Sequence, residues 1–207
     1  MLDLVHLEHT NHITKKQTCT YNSPFSFFFG PVNPTEIFTI INNLKNTKST
    51  GYDDICVSIL KLISCFISPI LSYIINLCFE QGIFPSSLKT TIIKPIHKKD
   101  SKSDMRNYRP IALIPIFSKI FEKAIYSNLY NYFDKNRIFS DSQKGFRKNM
   151  SINSAVYDFL SMIYPRVDAR QPSFALLMDM SKAFDFVDHS ILLSKLENMA
   201  LEAMPFS

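Results

Sequence analysis

The sequence predicts an α+β protein that is mostly helical. Several stretches repeat apolar residues every three or four positions, which is the spacing of an amphipathic helix. Three shorter runs are rich in apolar residues and lie between turn residues, as strands do. Glycine is scarce at 4 residues and proline more frequent at 11. That balance favours helices and firm connections over glycine-rich loops.

The first predicted helix follows a poorly ordered lead-in over residues 1–30. Asn33 can cap this helix, Pro34 suits its first position, and Glu36 can reach back to the cap. The chain shows no secretory signal at its start. Its four cysteines form no C-x-x-C pair, which favours reduced thiols in an intracellular protein.

The apolar run over residues 55–79 is long enough to span a bilayer. However, Lys61 and Pro69 interrupt it and four serines dilute it. We therefore interpret it as two core helices that meet near Pro69, since proline breaks or kinks a helix. A membrane-associated protein built on this run is the competing hypothesis.

The rest of the chain alternates between extended and helical patterns. Residues 88–96 and 108–113 predict short strands, and residues 116–135 predict an amphipathic helix. A further helix is expected from about 151 to 162, and a last one over roughly 189–200. Between them, residues 172–180 are apolar on both faces, which predicts a strand covered by helices.

The net charge of +5 is unevenly distributed along the chain. Residues 81–150 contain 14 Lys/Arg against 5 Asp/Glu, a net charge of +9, and the remainder carries a net charge of −4. A basic middle region indicates a polyanionic partner such as nucleic acid. A solvated basic face explains the same charges, so charge alone leaves both interpretations open.

Asp179 is the residue most suggestive of chemistry, because it ends the apolar run 172–180. A buried carboxylate is costly unless another group compensates its charge. Asp179 could pair with Lys182 or accept hydrogen bonds from a turn. It could equally bind a divalent cation such as magnesium, which prefers one or two carboxylates together with substrate phosphates.

The segment FALLMDMSKAFDFVDHSILLSKL resembles the first palm motif of non-LTR (LINE-type) retrotransposon reverse transcriptases, with the jockey-like branch the best match. Four upstream segments match the same family in the same order: KSTGYDDI, GIFPSSLKTTIIKPIHKKDS, NYRPIALIPIFSKIFEK and QKGFRKNMSINSAV. The resemblance covers residues 31–197. It implies an incomplete right-hand polymerase, with fingers over 31–170 and the start of the palm over 171–207.

The resemblance implies an RNA-directed DNA polymerase, a nucleotidyltransferase that joins deoxynucleotides by in-line phosphoryl transfer with two magnesium ions. Its partners would be an RNA template, a DNA primer and deoxynucleotide triphosphates. By the same match, Asp179 would be the catalytic carboxylate and bind both ions, and the backbone carbonyl of Met180 would bind one. Phe184 would lie under the sugar of the incoming nucleotide, with ordinary core packing as its alternative.

The family's fingers motif implies that Arg109 contacts the triphosphate of the incoming nucleotide. A planar guanidinium suits phosphate because it can donate two parallel hydrogen bonds. An upstream lysine assists in the family, and Lys98, Lys99 and Lys102 are the candidates. Each of these lysines taken singly could be a solvated surface charge.

The Gln-x-Gly-Phe-Arg element of the family implies a template-binding segment in this chain. Its residues here are Gln143, Gly145, Phe146 and Arg147, with the glycine allowing close backbone approach and the arginine contacting phosphates. Lys144 stands where the family usually has an apolar or small residue. A plain turn between two helices is the alternative.

Four further acidic residues are expected to be structural. Asp53 and Asp54 directly follow Tyr52, which does not fit the family's catalytic Tyr/Phe-x-Asp-Asp motif, so we interpret them as a turn or as a capped helix start at Asp53. Asp185 suits a turn and Asp188 suits an N-cap.

No Tyr/Phe-x-Asp-Asp segment follows Asp179 in the sequence. We therefore expect this chain to be a fragment that does not polymerise DNA by itself. The alternative function is a non-catalytic nucleic-acid-binding remnant of the fingers. The resemblance implies a nuclear or cytoplasmic location.

Overall fold

The computed structural model describes residues 26–47, 49–180 and 183–199. Most of the predicted lead-in, and Lys182 as a partner for Asp179, therefore lie outside the described residues. The described residues from 28 to 179 belong to one compact unit, and residues 26–27, 180 and 183–199 belong to a second.

Helices dominate the described residues, together with one small sheet. The helices are α1 (Pro34–Asn42), α2 (Val57–Leu62), α3 (Ser64–Gln81), α4 (Ile116–Lys135), α5 (Ile152–Asp168) and α6 (His189–Asn198). The strands are β1 (Ile92–His97) and β2 (Tyr108–Leu113), and short 3₁₀ turns span Ser86–Lys89 and Met105–Asn107.

Helix α1 begins with the capping box that the sequence predicts. The Asn33 side chain accepts a hydrogen bond from the Glu36 amide at 2.8 Å, and the Glu36 carboxylate accepts one from the Asn33 amide at 3.0 Å. Both bonds satisfy amides that a helix end otherwise leaves unpaired. Ile37 and Ile41 follow on one face and are fully buried.

The apolar run 55–79 does form two helices, but the predicted break near Pro69 is wrong. The helices meet at Ile63, where φ −101° and ψ 10° depart from helical geometry. Pro69 lies inside α3 with its side chain exposed. The proline loses one backbone hydrogen bond, and the packing of α3 against its neighbours outweighs that loss.

The core forms where α1, α2, α3 and α4 pack together, with Ile37, Leu60, Ile75 and Ile120 at its centre. The Ser72 hydroxyl adds a buried tie by donating to the Val32 carbonyl at 2.6 Å. The opposite side of α3 exposes large apolar side chains, including Phe66, Ile70 and Tyr73. The prediction of a core element is therefore correct for one face of α3.

No helix among the described residues combines the length and the apolar character needed to span a bilayer.

The turn before α2 packs tightly against the start of α4. A side chain on buried Gly51 would lie 2.7 Å from both the amide nitrogen and the Cα of Pro115, so only glycine fits there. The expected helix start at Asp53 is wrong, because α2 begins after Cys56. Asp53 instead lies in the turn, and both of its carboxylate oxygens are buried without a hydrogen bond to the described residues.

Strands β1 and β2 form an antiparallel ribbon in which Pro95 lies opposite Pro110. The bond from the Lys98 amide to the Asn107 carbonyl, at 2.8 Å, fixes which pairs are hydrogen-bonded. Hydrogen-bonded and non-hydrogen-bonded pairs alternate along an antiparallel ladder, so the two prolines form a non-hydrogen-bonded pair. Neither proline therefore removes a hydrogen bond within the ribbon. Both edges instead lack an outward amide at mid-strand, which protects an exposed ribbon against edge-to-edge pairing.

The predicted buried strand over residues 172–180 is wrong. This segment pairs with no strand among the described residues, and its apolar side chains are exposed, with Phe174 at 90% and Leu177 at 87%. A strand that is apolar on both faces needs neighbours for its amides and carbonyls and layers over both faces. In the described part of the chain the only sheet is the β1–β2 ribbon. An apolar groove of about 700 Å³ remains between α5 and residues 173–177.

The last two helices begin where the sequence predicts. Ser151 caps α5, which extends six residues past the expected end at 162 and includes Pro165. Asp188 caps α6 through the amides of Ser190 and Ile191, at 2.9 and 3.2 Å. Hydrogen bonds from the Ser190 hydroxyl and the Ile191 amide lower the pKa of Asp188. Asp185 lies in the preceding turn, as expected.

Candidate nucleic-acid interface

Strand β2 places Arg109 on the surface of the two-stranded ribbon. Its cross-strand neighbour is Ile96, and the next pair consists of His97 and Tyr108, whose rings meet edge to face at 5.3 Å. The guanidinium of Arg109 is exposed and makes no hydrogen bond or ion pair with the described residues. It is therefore available to an anionic ligand.

The connection between the strands, residues 98–107, is held by its own hydrogen bonds. Asn107 donates from its side chain to the Ser101 carbonyl at 2.9 Å, and the Tyr108 hydroxyl donates to the Lys102 carbonyl at 2.9 Å. Asp100 occupies the left-handed region at φ 65°, which turns the chain sharply. These bonds fix the backbone from which the basic side chains extend.

Lys98, Lys99 and Lys102 are exposed, and their ammonium groups make no ion pair with the described residues. Arg106 differs, because it forms a fork with Asp104 whose shortest bond is 2.9 Å. That fork lowers the pKa of Asp104. The positive charge available to a ligand at this end of the ribbon therefore comes from the three lysines and Arg109.

Lys94 is a basic residue of this surface that the sequence analysis missed. It lies opposite Ile111 in β1, and side chains two positions apart in a strand share a face. Lys94 therefore lies on the same face as Arg109. The alternation of side chains along β1 places Lys94 on the same face as Ile96. That this is also the face of Arg109 follows only from the register, which pairs Ile96 with Arg109.

A second basic segment, residues 139–149, connects α4 to α5 and is called the basic loop below. Aromatic rings anchor it, since Phe139 packs against Tyr130 at 5.3 Å and against Phe133 at 5.7 Å. The Lys148 amide donates to the Tyr130 hydroxyl at 2.9 Å, and the Lys148 ammonium lies 4.5 Å from the centre of the same ring. The loop is thus fastened to the end of α4.

The predicted phosphate ligand Arg147 is held inside the basic loop. Its Nη1 donates to the Ser140 carbonyl at 3.0 Å, and its guanidinium carbon lies 5.3 Å from the centre of the Phe139 ring. Its Nε is buried and makes no hydrogen bond within the described part of the chain. These contacts orient the guanidinium within the loop.

Lys144, which stands where the family usually has an apolar or small residue, connects the basic loop to α5 by an ion pair. Its ammonium lies 2.6 Å from a carboxylate oxygen of Asp158, and only 21% of the lysine side chain is exposed. Gln143 adds a weaker tie by donating to the Gly145 carbonyl at 3.3 Å. The interpretation as a plain turn therefore understates how strongly this segment is organised.

Gly145 and Phe146 form the outermost part of the basic loop. A side chain on Gly145 would meet no atom within 4 Å, so the backbone is open to a ligand on that side. Phe146 adopts φ 60° with 84% of its area exposed. The left-handed region is unusual for an aromatic residue and costs on the order of 1 kcal/mol.

Asp179, Met180 and Phe184 are all exposed. Asp179 makes no hydrogen bond or ion pair with the described residues, so a structural partner for it within them is ruled out. The described part of the chain contains no group of three or more metal-ligating side chains. One carboxylate and one backbone carbonyl are too few donors for two ions, and the described residues therefore do not fit a two-magnesium centre.

Residues 96–205 match the profile of the family described as "Reverse transcriptase (RNA-dependent DNA polymerase)". Because the match covers more than half of the 207 residues, this chain belongs to the reverse transcriptase family. The resemblance to the polymerases of non-LTR retrotransposons is confirmed, and the family's reaction is nucleotidyl transfer.

Polymerases of mobile elements are similar to this chain. The probable RNA-directed DNA polymerase of the Drosophila melanogaster transposon BS is 32% identical over 82% of this chain and 19% of its own length. The corresponding X-element protein is 29% identical over 77% of this chain and 18% of its own length. The polymerase of the mobile element jockey, also from Drosophila melanogaster, is 27% identical over 86% of this chain and 20% of its own length. The chain thus spans about a fifth of these relatives.

Proposed function

We propose that this chain is the fingers and the first part of the palm of a non-LTR retrotransposon reverse transcriptase. In this proposal residues 31–170 form the fingers, and the palm begins at 171. The observation that carries it is that the family match over residues 96–205 coincides with an exposed basic ribbon and a rigid basic loop. Both are surfaces that suit a polyanion.

The ribbon is proposed to contact the triphosphate of a deoxynucleotide and the neighbouring phosphates of RNA. Arg109 supplies a guanidinium that can bind two phosphate oxygens at once. Lys98, Lys99 and Lys102 supply point charges, and their ammonium groups make no ion pair with the described residues. When these groups bind phosphates, counterions are released from the RNA, so the affinity for RNA will fall as salt is raised.

The basic loop is proposed to contact the RNA template through Gln143, Gly145, Phe146 and Arg147. Support comes from the open side of Gly145 and the exposed ring of Phe146. A DNA primer and deoxynucleotide triphosphates complete the set of proposed partners, as the resemblance implies.

Asp179 is proposed as the catalytic carboxylate, Met180 as the source of a backbone carbonyl beside it, and Phe184 as the residue under the nucleotide sugar. The family uses a divalent metal, and two magnesium ions are the expectation for a complete enzyme. In this proposal the chain carries one carboxylate of the catalytic centre and binds template and nucleotide, but it does not polymerise DNA by itself, since its described residues hold too few ligands for two ions. A non-catalytic nucleic-acid-binding role is the second candidate, and the same shortage of ligands favours it.

Binding of a fluorescein-labelled single-stranded RNA to the purified chain tests the role of the ribbon. The triple variant Lys98→Ala, Lys99→Ala, Arg109→Ala should lower the slope of log affinity against log salt by about two, since each contact to a single strand contributes roughly 0.7. The measurement is a titration by fluorescence anisotropy at several salt concentrations.

The matched control removes three positive charges elsewhere, through Lys45→Ala, Lys123→Ala and Lys135→Ala, all on exposed residues. This control should keep the slope close to that of the unaltered chain. Equal slopes for the two triple variants would mean that net charge alone, and not the ribbon, binds the RNA.

A further inference from the structure

We infer that Phe146 is a stacking surface for one unpaired base, and that the basic residues around it serve mainly to hold the loop in place. The inference rests on the proposed function and deepens it by naming the contact. Sequence resemblance assigns the phosphate contact to Arg147, whereas the geometry points to the ring of its neighbour.

The three cations of the basic loop all have contacts within the protein. Lys144 forms an ion pair with Asp158, Arg147 binds the Ser140 carbonyl and the face of Phe139, and Lys148 lies over Tyr130. The Lys144 charge is neutralised locally by its partner. Arg147 and Lys148 keep their charge, so they add a positive potential beside the ring.

The backbone presents the ring of Phe146 to solvent. Phe146 lies at φ 60° with 84% of its area exposed, immediately after Gly145, whose open side leaves room for a strand. With 84% of its area exposed, the ring gains little free energy from burial, so burial does not offset the cost of its uncommon backbone conformation. Anchors on both sides hold that conformation, through Lys144 to α5 and through Lys148 to α4.

The exposed ring and the cations beside it indicate the class of ligand. A ring that protrudes beside a positive potential suits single-stranded nucleic acid, whose unpaired bases stack on aromatic side chains irrespective of sequence. Bases within a duplex are not exposed in this way, so the ligand class is an unpaired stretch of RNA or DNA. Because stacking releases no counterions, its contribution should persist when salt is raised.

The experiment compares Phe146→Leu with Phe146→Tyr in the purified full chain, using fluorescence anisotropy of a single-stranded RNA. Phe146→Leu keeps an apolar side chain without a ring, and it should lower the affinity about tenfold. Phe146→Tyr keeps the ring and should bind within about twofold of the unaltered chain. The tenfold ratio should stay constant between about 50 and 200 mM salt.

An RNA of the same length with abasic sites provides the second measurement. Without bases to stack, the unaltered chain and Phe146→Leu should bind it equally. If the unaltered chain and Phe146→Leu bind the ordinary RNA with equal affinity, the inference is overturned. A loss of affinity in Phe146→Leu that disappears at high salt would also overturn it. If the unaltered chain binds no RNA even at low salt, the proposed function itself fails.

Discussion

Gly51→Ala is expected to lower the free energy of unfolding by about 2 to 3 kcal/mol, in the range of overpacking substitutions. The added methyl group would lie 2.7 Å from two backbone atoms of Pro115, which cannot rotate away as the end of a side chain can. Pro115 is itself fully buried at the start of α4, so relief requires moving that helix. Denaturant titration followed by circular dichroism measures the change.

Gly145→Ala is the matched control, since the same methyl group would meet no atom within 4 Å there. Its free energy of unfolding should stay within about 0.5 kcal/mol of the unaltered chain, as for other surface substitutions. An equal loss in both variants would show that the close approach to Pro115 is not the cause.

In a chimera with the jockey polymerase, Asp179→Asn is expected to reduce DNA synthesis strongly without affecting folding. The chimera carries residues 31–197 in place of the matching stretch of the jockey polymerase, which is similar over 86% of this chain. Its activity is measured by primer extension on an RNA template. Removing the charge while keeping the shape should reduce incorporation about a thousandfold, the scale seen when a preorganised charge-stabilising group is lost.

Asp185→Asn in the same chimera is the control, because Asp185 lies in the turn that follows and is expected to be structural. Its activity should stay near that of the unaltered chimera. The chain by itself should give no incorporation, since its described residues hold too few metal ligands. Full activity of Asp179→Asn would remove this carboxylate from the mechanism.

Local signals in the sequence predicted much of the fold. Helix starts at Asn33, Ser151 and Asp188 were readable, because each cap satisfies amides within its own first turn. The α4 bounds were also predicted correctly from periodicity alone. Such features depend on residues a few positions apart, which one sequence displays directly.

Features that depend on distant partners were predicted less well. The strand expected over 172–180 fails because pairing requires a neighbour that periodicity does not identify. The break expected at Pro69 falls at Ile63 instead, because packing of α3 keeps the proline within a helix. Likewise, the tight contact between Gly51 and Pro115 joins residues 64 positions apart, and only the folded chain reveals it.

The candidate site shows the same division. The sequence named Arg109 and the three lysines of the connection, but Lys94 required the register of the ribbon. The assignment of Arg147 to phosphate stays a prediction, to which the structure adds the contacts of that side chain with Ser140 and Phe139. A residue type indicates what chemistry is available, whereas contacts decide whether the group is available to a ligand.

Photo-crosslinking of a single-stranded RNA to the purified chain, followed by mass spectrometry of the linked peptides, tests most directly where nucleic acid binds. We expect the links to concentrate in two segments, residues 92–113 and residues 139–149, with Phe146 among the linked positions. Links confined to the exposed apolar side of α3, around Phe66 and Tyr73, would contradict the assignment of the basic ribbon and the basic loop as the interface.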